Sequence, residues 1–373
     1  MRLINTSFEE FAEYVKEKNK HIVFWGAGAI GRVLIPYICN RHGLDARVLG
    51  YIDNNPVKQG KEVELFSRKV KIYPAGFLEK LHGDAFVLMI TNGDFYPVLE
   101  QLRNMPCMES VAVCIAPIIQ VHTQAASQIT GIYKSSEKPL IPKTIHYTWF
   151  SGEPIPENLQ KCINSWKEKC PDYEIVKWDA SNYDYRKYPY TRQAYEAKRW
   201  GYMADLARLE ILYEYGGFYL DTDVELLQNL DGLRYQEGFC GREEWGHVNF
   251  GGGSGCIKHL DILGELLDFR KNVPFLLEGG QHNLEASGYF ETKPLMDRGL
   301  TVTNRTEIVD GFAVYASEFF CPYNYISGKE NVTEKTVSIH YFSGGWLGEA
   351  GIRYRRETRE KFHAVLGQLE PFG

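Results

Sequence analysis

The sequence of 373 residues lacks the features that mark secreted, membrane-spanning or nucleic-acid-binding proteins. Its eight cysteines are scattered without a Cys-x-x-Cys pair, which favours reduced thiols over a zinc site or a disulfide framework. No apolar run approaches the ~20 residues of a membrane span, and the charged N-terminus has no secretory signal. The net charge of −6 argues against a nucleic-acid partner. These absences predict a cytoplasmic protein.

Two carboxylates follow an apolar run near the middle of the chain. Phe218, Tyr219 and Leu220 lead directly into Asp221 and Asp223, which predicts a buried strand with both carboxylates at its carboxyl end. Desolvating two carboxylates there is costly unless a cation or hydrogen-bond donors meet them. Oxygen ligands at this spacing suit magnesium or manganese, which take further ligands from substrate phosphates. The alternative is an acidic loop that binds no metal.

The residues before this strand predict a helix with a second pair of charges. Asp205 and Arg208 are three residues apart, so their side chains are close enough to act together. Gly216-Gly217 is typical of a helix end. The helix has one apolar stripe, made of Tyr202, Leu206, Leu209 and Tyr213. An ordinary surface salt bridge is the alternative interpretation of the charged pair.

Three segments together resemble glycosyltransferase family 32, which includes initiating yeast mannosyltransferases and bacterial capsular-sugar transferases. They are IPKTIHYTWFSGEPIP (141–156), SWKEKCPDYEIVKWD (165–179) and DLARLEILYEYGGFYLDTDVELL (205–227). The resemblance covers roughly residues 139–350 and is loose between about 255 and 335. It implies an α/β protein with a GT-A type nucleotide-diphospho-sugar transferase fold. The implied reaction is retaining transfer of a hexose from a UDP- or GDP-sugar to a glycan or lipid-linked glycan, in surface or capsular polysaccharide synthesis.

The resemblance also implies roles for the charged residues. Asp221 and Asp223 would hold a divalent cation, manganese or magnesium, with Asp223 the more direct ligand and Asp221 leaning toward the ribose. Asp205 and Arg208 match positions that contact the donor sugar and phosphate. These four residues are the predicted catalytic group. No nucleophile can be assigned among the other polar candidates, which are Glu243, Glu244, Asn249 and Glu285.

Two further segments complete the predicted donor site. His146 and Trp149 fall where the opening strand would meet the nucleotide base, although core packing is an equally good interpretation of the Trp. In VSIHYFSGGW (337–346), His340 is a candidate third metal ligand, and Ser343 and Trp346 are candidate donor contacts. This closing segment matches the retaining galactosyltransferase pattern only in part.

The N-terminal third predicts a Rossmann-like domain. Gly26, Gly28 and Gly31 follow an apolar strand and precede a helix, and Asp53 ends the next strand, as a dinucleotide fingerprint requires. The pattern resembles small domains attached to bacterial sugar-modifying enzymes. Nucleotide or nucleotide-sugar binding and a structural or docking role are both open. NAD is not expected, because the domain ends before a dehydrogenase would supply its catalytic residues.

The predicted organisation is a Rossmann-like domain (1–121), a linker (122–140), a transferase domain (141–350) and a C-terminal basic helix (351–373). That helix is either a solvated face or a peripheral contact with the inner face of a membrane. Yeast members of the family are Golgi membrane proteins with a lumenal catalytic domain, so this chain departs from them and looks bacterial. The alternatives are an NAD-dependent sugar-nucleotide oxidoreductase or epimerase and a non-catalytic glycan- or nucleotide-binding scaffold.

Overall fold

A computed structural model describes residues 1–122, 127–277, 279–343 and 348–372. The chain divides into two compact units. The first contains residues 1–124 together with 356–373, and the second contains residues 125–355. The C-terminal segment, predicted as a separate helix, therefore groups with the N-terminal unit.

The first unit is built on a largely parallel sheet of seven described strands. Its order is β1-β7-β6-β2-β3-β5-β4, and only β4 runs antiparallel to its neighbour. The strands are β1 (Arg2–Leu3), β2 (His21–Trp25), β3 (Val48–Ile52), β4 (Glu62–Glu64), β5 (Lys69–Tyr73), β6 (Phe86–Ile90) and β7 (Ala112–Ile115). β2 and β6 are almost wholly apolar and buried, as expected for central strands of a parallel sheet.

Helices connect these parallel strands. They are α1 (Phe8–Glu17), α2 (Ile35–Arg41) and α3 (Tyr96–Arg103), and a further helix, α4 (Ala116–His122), follows β7. Ser7 and Glu10 form a capping box at the start of α1, which satisfies backbone N–H groups that the first turn leaves free. A π-helical turn at Ile30–Leu34 leads from the glycine loop into α2. The last helix of the chain, α11 (Gly348–Leu366), is followed by Glu370, which bridges to Ile4 beside β1.

The second unit is built on a mixed sheet, again of seven described strands. Its order is β14-β15-β12-β13-β10-β8-β9, and β8, β9 and β10 run parallel to one another. Its members are β8 (Thr144–Thr148), β9 (Glu174–Trp178), β10 (Gly217–Tyr219), β12 (Gly238–Arg242), β13 (Val248–Cys256), β14 (Glu307–Val309) and β15 (Phe312–Tyr315). A separate pair contains β11 (Val224–Leu226) and β16 (Ser338–His340). The predicted α/β class, with an N-terminal parallel sheet and a GT-A type transferase domain, is confirmed.

The helices of the second unit cover this sheet. They are α5 (Glu157–Lys169), α6 (Pro189–Glu196), α7 (Trp200–Tyr215), α8 (Asp261–Arg270), α9 (Ser287–Asp297) and α10 (Ser317–Phe320). α7 is the central one, and every residue from Tyr202 to Leu212 is buried. The single apolar stripe predicted from the sequence is therefore incomplete, because this helix packs on all sides.

Two glycines join α7 to β10. Gly216 and Gly217 have φ angles of +66° and +86°, which L-residues with a side chain rarely adopt. A Cβ on Gly217 would also lie 2.7 Å from the carbonyl oxygen of Thr144 on β8. The helix end predicted here is present, and it brings the strand that precedes Asp221 directly after the helix that contains Asp205.

Hydrogen bonds of His146 connect β8 to the junction between α7 and β10. Trp178 on β9 donates its indole N–H to His146 Nδ1 (3.1 Å), so Nε2 has the ring proton and donates to the carbonyl oxygen of Gly216 (3.0 Å). The side chain is 3% exposed, and burial lowers its pKa to about 4. The predicted contact between His146 and the nucleotide base is therefore not retained, because both ring nitrogens already bond within the protein.

We expect His146 to make the stability of the protein sensitive to acid. Its pKa is lower in the folded than in the unfolded state. The contribution of the neutral ring to the free energy of unfolding is therefore complete above pH 6.5 and is lost as the pH falls toward 4. At pH 5 the unfolded state gains about 2 kcal/mol from protonating this ring. Denaturant unfolding at pH 7 and pH 5 measures the loss, with His146→Gln as the non-titrating control. Equal losses in the two proteins would contradict this account.

Candidate active site

The two predicted metal ligands lie where a strand leaves the sheet. β10 ends at Tyr219, and Leu220 then leads to Asp221, whose backbone N–H donates to the carbonyl oxygen of Gly251 on β13 (2.8 Å). β8 and β9 run parallel to β10, so their carboxyl ends open at the same edge of the sheet. Ligands of open α/β sheets bind at such an edge.

Strand pairing brings the third predicted ligand to the same place. β11 begins directly after Asp223 and pairs antiparallel with β16, with Val224 opposite His340. His340 Nε2 lies 3.3 Å from Asp223 Oδ1 and 3.9 Å from Asp221 Oδ2. Ligand atoms of Asp221, Asp223 and His340 all lie within 4.8 Å of one another. Two carboxylate oxygens and an imidazole nitrogen at this separation fit manganese or magnesium.

The electrostatics of this group set the protonation state from which a metal would bind. Burial works against a charge on His340, but Asp223 and Asp221 outweigh it and raise the pKa of the imidazole. Burial likewise opposes ionisation of Asp223, yet the net effect of His340 and the backbone N–H of Ser343 is a lowered pKa. That N–H donates to Asp223 Oδ2 at 2.7 Å. His340 and Asp223 thus lie 3.3 Å apart in the position that a cation would take, and each favours the charged form of the other.

Arg208 connects the metal group to the interior. Its guanidinium group is paired with Asp205, one turn earlier on α7, and its Nη1 lies 3.5 Å from Asp221 Oδ2. Arg208 is 6% exposed and Asp205 is 8% exposed, whereas the side chain of Asp221 is 26% exposed. The predicted pair is therefore not a surface salt bridge. It is a buried support for the more accessible carboxylate.

Glycines on β13 let the backbone approach these charges closely. A Cβ on Gly251 would overlap Asp221 Oδ2 and lie 2.5 Å from Arg208 Nη1. A Cβ on Gly252 would lie 3.2 Å from His340 Nδ1. The backbone N–H of Gly252 donates to Asn249 Oδ1 (2.7 Å). Gly251 and Gly252 are thus required beside the charged cluster, which the sequence interpretation missed.

The remaining predicted contacts are placed differently. Trp149 is half-buried, donates its indole N–H to the carbonyl oxygen of Glu153 (2.6 Å), and lines a cavity of about 590 Å³ after the ends of β8 and β9. Lys177, Asp179 and Tyr195 line the same cavity. Of the closing segment, Ser343 contributes its backbone N–H to the site, while Trp346 lies outside the described residues.

The four candidate nucleophiles have partners of their own. Asn249 donates to Glu243 Oε1 (2.8 Å), and His247 Nε2 lies 3.3 Å from the same oxygen. Glu244 accepts a hydrogen bond from the side chain of Asn324. The backbone N–H of Glu285 donates to Asn283 (3.2 Å). Nothing in this geometry singles out one of the four, and none is assigned.

Sequence reasoning also missed two buried charges near Asp205. Glu291 on α9 and Arg270 at the end of α8 are each 1% exposed. Glu291 is electrostatically coupled to Arg208, Asp205, Arg270 and Asp221. Both residues fall in the region where the family resemblance is loose, and no local motif surrounds them. Only the packing of α8 and α9 beside α7 brings them to the site.

In the first unit, the glycine loop has an internal explanation. Asp53 Oδ2 accepts the backbone N–H of Ala27 (2.9 Å) and lies 3.2 Å from Lys58 Nζ. A Cβ on Gly26 would overlap Asn92, and one on Gly31 would overlap the carbonyl oxygen of Gly26. The loop itself therefore needs its glycines and its aspartate. Nucleotide binding by Gly26, Gly28, Gly31 and Asp53 stays a prediction.

We expect Gly251→Ala to abolish metal binding without unfolding the protein. The added methyl group must displace the Asp221 carboxylate, whereas Gly131→Ala is a matched control because a Cβ there meets no atom within 4 Å. Manganese titration and thermal unfolding of both variants measure the two effects. Unchanged manganese affinity in a folded Gly251→Ala variant would show that Asp221 is not a ligand.

We also expect manganese affinity to rise with pH, because the ion must displace the proton of the His340 imidazole. At pH values below the raised pKa of His340, about one proton is released for each ion bound. Calorimetry in buffers of different ionisation enthalpy counts the protons. His340→Gln is the control, with weaker binding that no longer depends on this proton. A pH-independent affinity in the unmodified protein would exclude His340 as a ligand.

The predicted family resemblance is confirmed by comparison with known proteins. Residues 156–240 match the family described as "Glycosyltransferase sugar-binding region containing DXD motif". Inositol phosphoceramide mannosyltransferase 3 of Schizosaccharomyces pombe is 34% identical over 152 residues, which are 39% of this chain and 37% of that protein. Mannosyl phosphorylinositol ceramide synthase SUR1 of Saccharomyces cerevisiae is 38% identical over 98 residues, 25% of each chain.

Solved structures give weaker likenesses. PaToxG glycosyltransferase aligns with a TM-score of 0.33 and 18% identity over 42% of this chain and 69% of that one. A glycosyltransferase involved in glycosylation of the major capsid of PBCV-1 aligns with a TM-score of 0.30 and 14% identity, over 59% of this chain and 98% of that one.

The comparisons correct one prediction. The cytoplasmic location is wrong, because the relatives are yeast inositol phosphoceramide mannosyltransferases, which are Golgi membrane enzymes. These relatives are also fungal rather than bacterial.

No helix in the described part of the chain is long and apolar enough to cross a membrane. The chain spans about a third of the length of the first relatives it matches. Residues 156–240 are thus similar to the DXD-containing sugar-binding region of a glycosyltransferase family.

Proposed function

We propose that the second unit is a divalent-cation-dependent, retaining glycosyltransferase that moves a hexose from a UDP- or GDP-sugar to a glycan or lipid-linked glycan. The observation that supports this most directly is the convergence of Asp221, Asp223 and His340 at the carboxyl edge of the sheet, with Arg208 behind them. A protein that only bound glycan would have no physical need for this charge cluster.

The charges suit a departing nucleoside diphosphate. Glycosyl transfer breaks the bond between the anomeric carbon and a phosphate oxygen, so negative charge develops on the diphosphate. A cation held by the two aspartates and the histidine would neutralise part of that charge. Arg208 lies next to Asp221 Oδ2, so its positive charge would also face the diphosphate. Preorganised charge of this kind is often the largest catalytic contribution. Asp205 keeps the guanidinium group in position and, by resemblance, contacts the donor sugar.

The cavity beside Trp149 suits the nucleoside end of the donor. It opens after β8 and β9, and β8 is the neighbour of β10 in the sheet. A diphosphate at Asp221 and Asp223 can therefore extend toward it along one edge. Trp149 offers an aromatic face on which a uracil or guanine ring can stack. Asp179 also lines this cavity, and hydrogen bonds from Ser181 and Lys177 lower its pKa to about 2, so it is an anion that can accept hydrogen bonds from hydroxyl groups.

The relatives make mannose the first sugar to test. Their names specify mannosyl transfer and an inositol phosphoceramide, a lipid-linked acceptor. They give no support to surface or capsular polysaccharide synthesis, which we therefore do not extend to this chain. For the first unit, nucleotide binding and a structural or docking role both stay open, and Asp53 already has partners in Ala27 and Lys58.

Donor hydrolysis tests the proposed function without knowledge of the acceptor. Purified protein with manganese or magnesium would be offered GDP-mannose and a panel of UDP- and GDP-hexoses, and release of GDP or UDP measured. We expect turnover of at least one donor, loss of activity with a chelator, and a drop of about a hundredfold or more for Asp223→Asn.

The matched control is Asp268→Asn, an exposed carboxylate on α8 in the same unit. It should retain the activity of the unmodified protein. Turnover that is insensitive to chelator and to Asp223→Asn would contradict the assignment of the metal group. No turnover of any donor, also when inositol phosphoceramide is supplied in detergent, would contradict the proposed transferase.

A further inference from the structure

A second layer of buried charge lies behind Asp205 and Arg208. Ser287 and Glu291 are one turn apart on α9 and therefore share a face of that helix. The side chain of Ser287 hydrogen-bonds Asp205, so this face of α9 looks toward the charged residues of α7. Arg270 reaches the same place from the end of α8, with Nη2 4.0 Å from Asp205 Oδ2.

The bonding of this layer is incomplete in an unusual way. Arg270 donates to Tyr190 Oη (2.6 Å) and lies over the rings of Tyr190 and Phe290, but its Nε and Nη1 have no hydrogen-bond partner. Nε of Arg208 has none either, nor has either carboxylate oxygen of Glu291. Buried polar atoms are nearly always hydrogen-bonded, so a group of unpaired ones beside an active site needs an explanation.

The charges of this buried layer do not balance unless Glu291 is included. Two guanidinium groups, those of Arg208 and Arg270, are buried here, and Asp205 neutralises only one of them. Asp221 is the nearest remaining anion to Arg208, but a bound cation would draw on the same carboxylate. Glu291 is then the one anion in this part of the described structure that is left to offset the second guanidinium group.

The pKa of Glu291 depends on the charges around it. Burial raises it to about 7, with Asp205 and Asp221 adding to the rise, while Arg208 and Arg270 hold it down. A cation on Asp221 would remove part of the repulsion and favour the ionised form. At 1% exposure Glu291 has no surface with which to touch a donor, so any part it plays must act through its neighbours.

We propose that Glu291 is a positioning residue, whose negative charge balances the Arg208–Arg270 pair and thereby holds the Arg208 guanidinium group toward Asp221 and the donor diphosphate. The inference rests on the proposed function. It assigns no chemistry to Glu291 itself. Its consequence is that charge at this position matters more for turnover than the shape of the side chain.

Two substitutions separate charge from shape. Glu291→Gln keeps the size and removes the charge, whereas Glu291→Asp keeps the charge and shortens the side chain. We expect kcat for donor hydrolysis to fall by about ten- to a hundredfold in Glu291→Gln, with manganese affinity within about twofold of the unmodified protein. Glu291→Asp should be the more active of the two. A purely structural role gives the opposite order, because Gln preserves the packing.

A matched control lies elsewhere in the same unit. Glu307 is 3% exposed and pairs with the fully buried Arg242 at 3.2 Å, so Glu307→Gln also removes a buried carboxylate charge beside an arginine. It should lower the melting temperature and leave kcat within about twofold. Should Glu291→Gln not fold, the charge-balanced double variant Glu291→Gln with Arg270→Met replaces it. This double variant should be more active than Arg270→Met alone.

The outcomes distinguish this inference from the proposed function. If the unmodified protein turns over a donor and Glu291→Gln retains kcat within twofold, only the positioning role is overturned. If Glu291→Gln is more active than Glu291→Asp, or the double variant is no better than Arg270→Met, the positioning role is likewise overturned. If the unmodified protein turns over no donor, the proposed function fails and the inference fails with it.

Discussion

The buried guanidinium group of Arg208 is the interaction on which the rest of the site depends. An arginine at 6% exposure is tolerated only when anions surround it, and here Asp205 and Asp221 do so from two different elements. The contact between Arg208 and Asp221 connects the middle of α7 to the segment after β10. Gly251 must then lack a side chain, because the carboxylate and the guanidinium group fill the space beside β13. This ion pair thus constrains which residue can stand at one position on α7, one after β10 and one on β13.

The local part of this site could be predicted from the sequence. An apolar run that ends in two carboxylates, a charged pair three residues apart and a Gly-Gly junction depend only on neighbours along the chain. His340 lies 117 positions beyond Asp223 in the numbering, and only the family resemblance indicated it. The structure adds the physical reason, which is the antiparallel register of β11 and β16.

The site prediction that failed depended on which face of a strand is open. Alternation along β8 correctly separates two faces but does not show which face is open, so His146 was expected at the nucleotide and instead fastens Trp178 to Gly216. Glu291 and Arg270 were missed for a related reason. Nothing near them in the sequence differs from an ordinary exposed helix, and their burial is decided by how α8 and α9 pack beside α7.

The glycine fingerprint of the first unit shows how a motif can satisfy its pattern for internal reasons. A tight turn after β2 needs Gly26 and Gly31, and Asp53 closes that turn by accepting the N–H of Ala27. These are requirements of the loop, and they hold whether or not a phosphate is bound. In the second unit, Asp221, Asp223 and His340 instead bring three potential ligand atoms within 4.8 Å of one another at an open edge. The grouping of these ligand atoms, rather than the presence of a motif, is therefore the stronger evidence for catalysis, and it lies in the second unit.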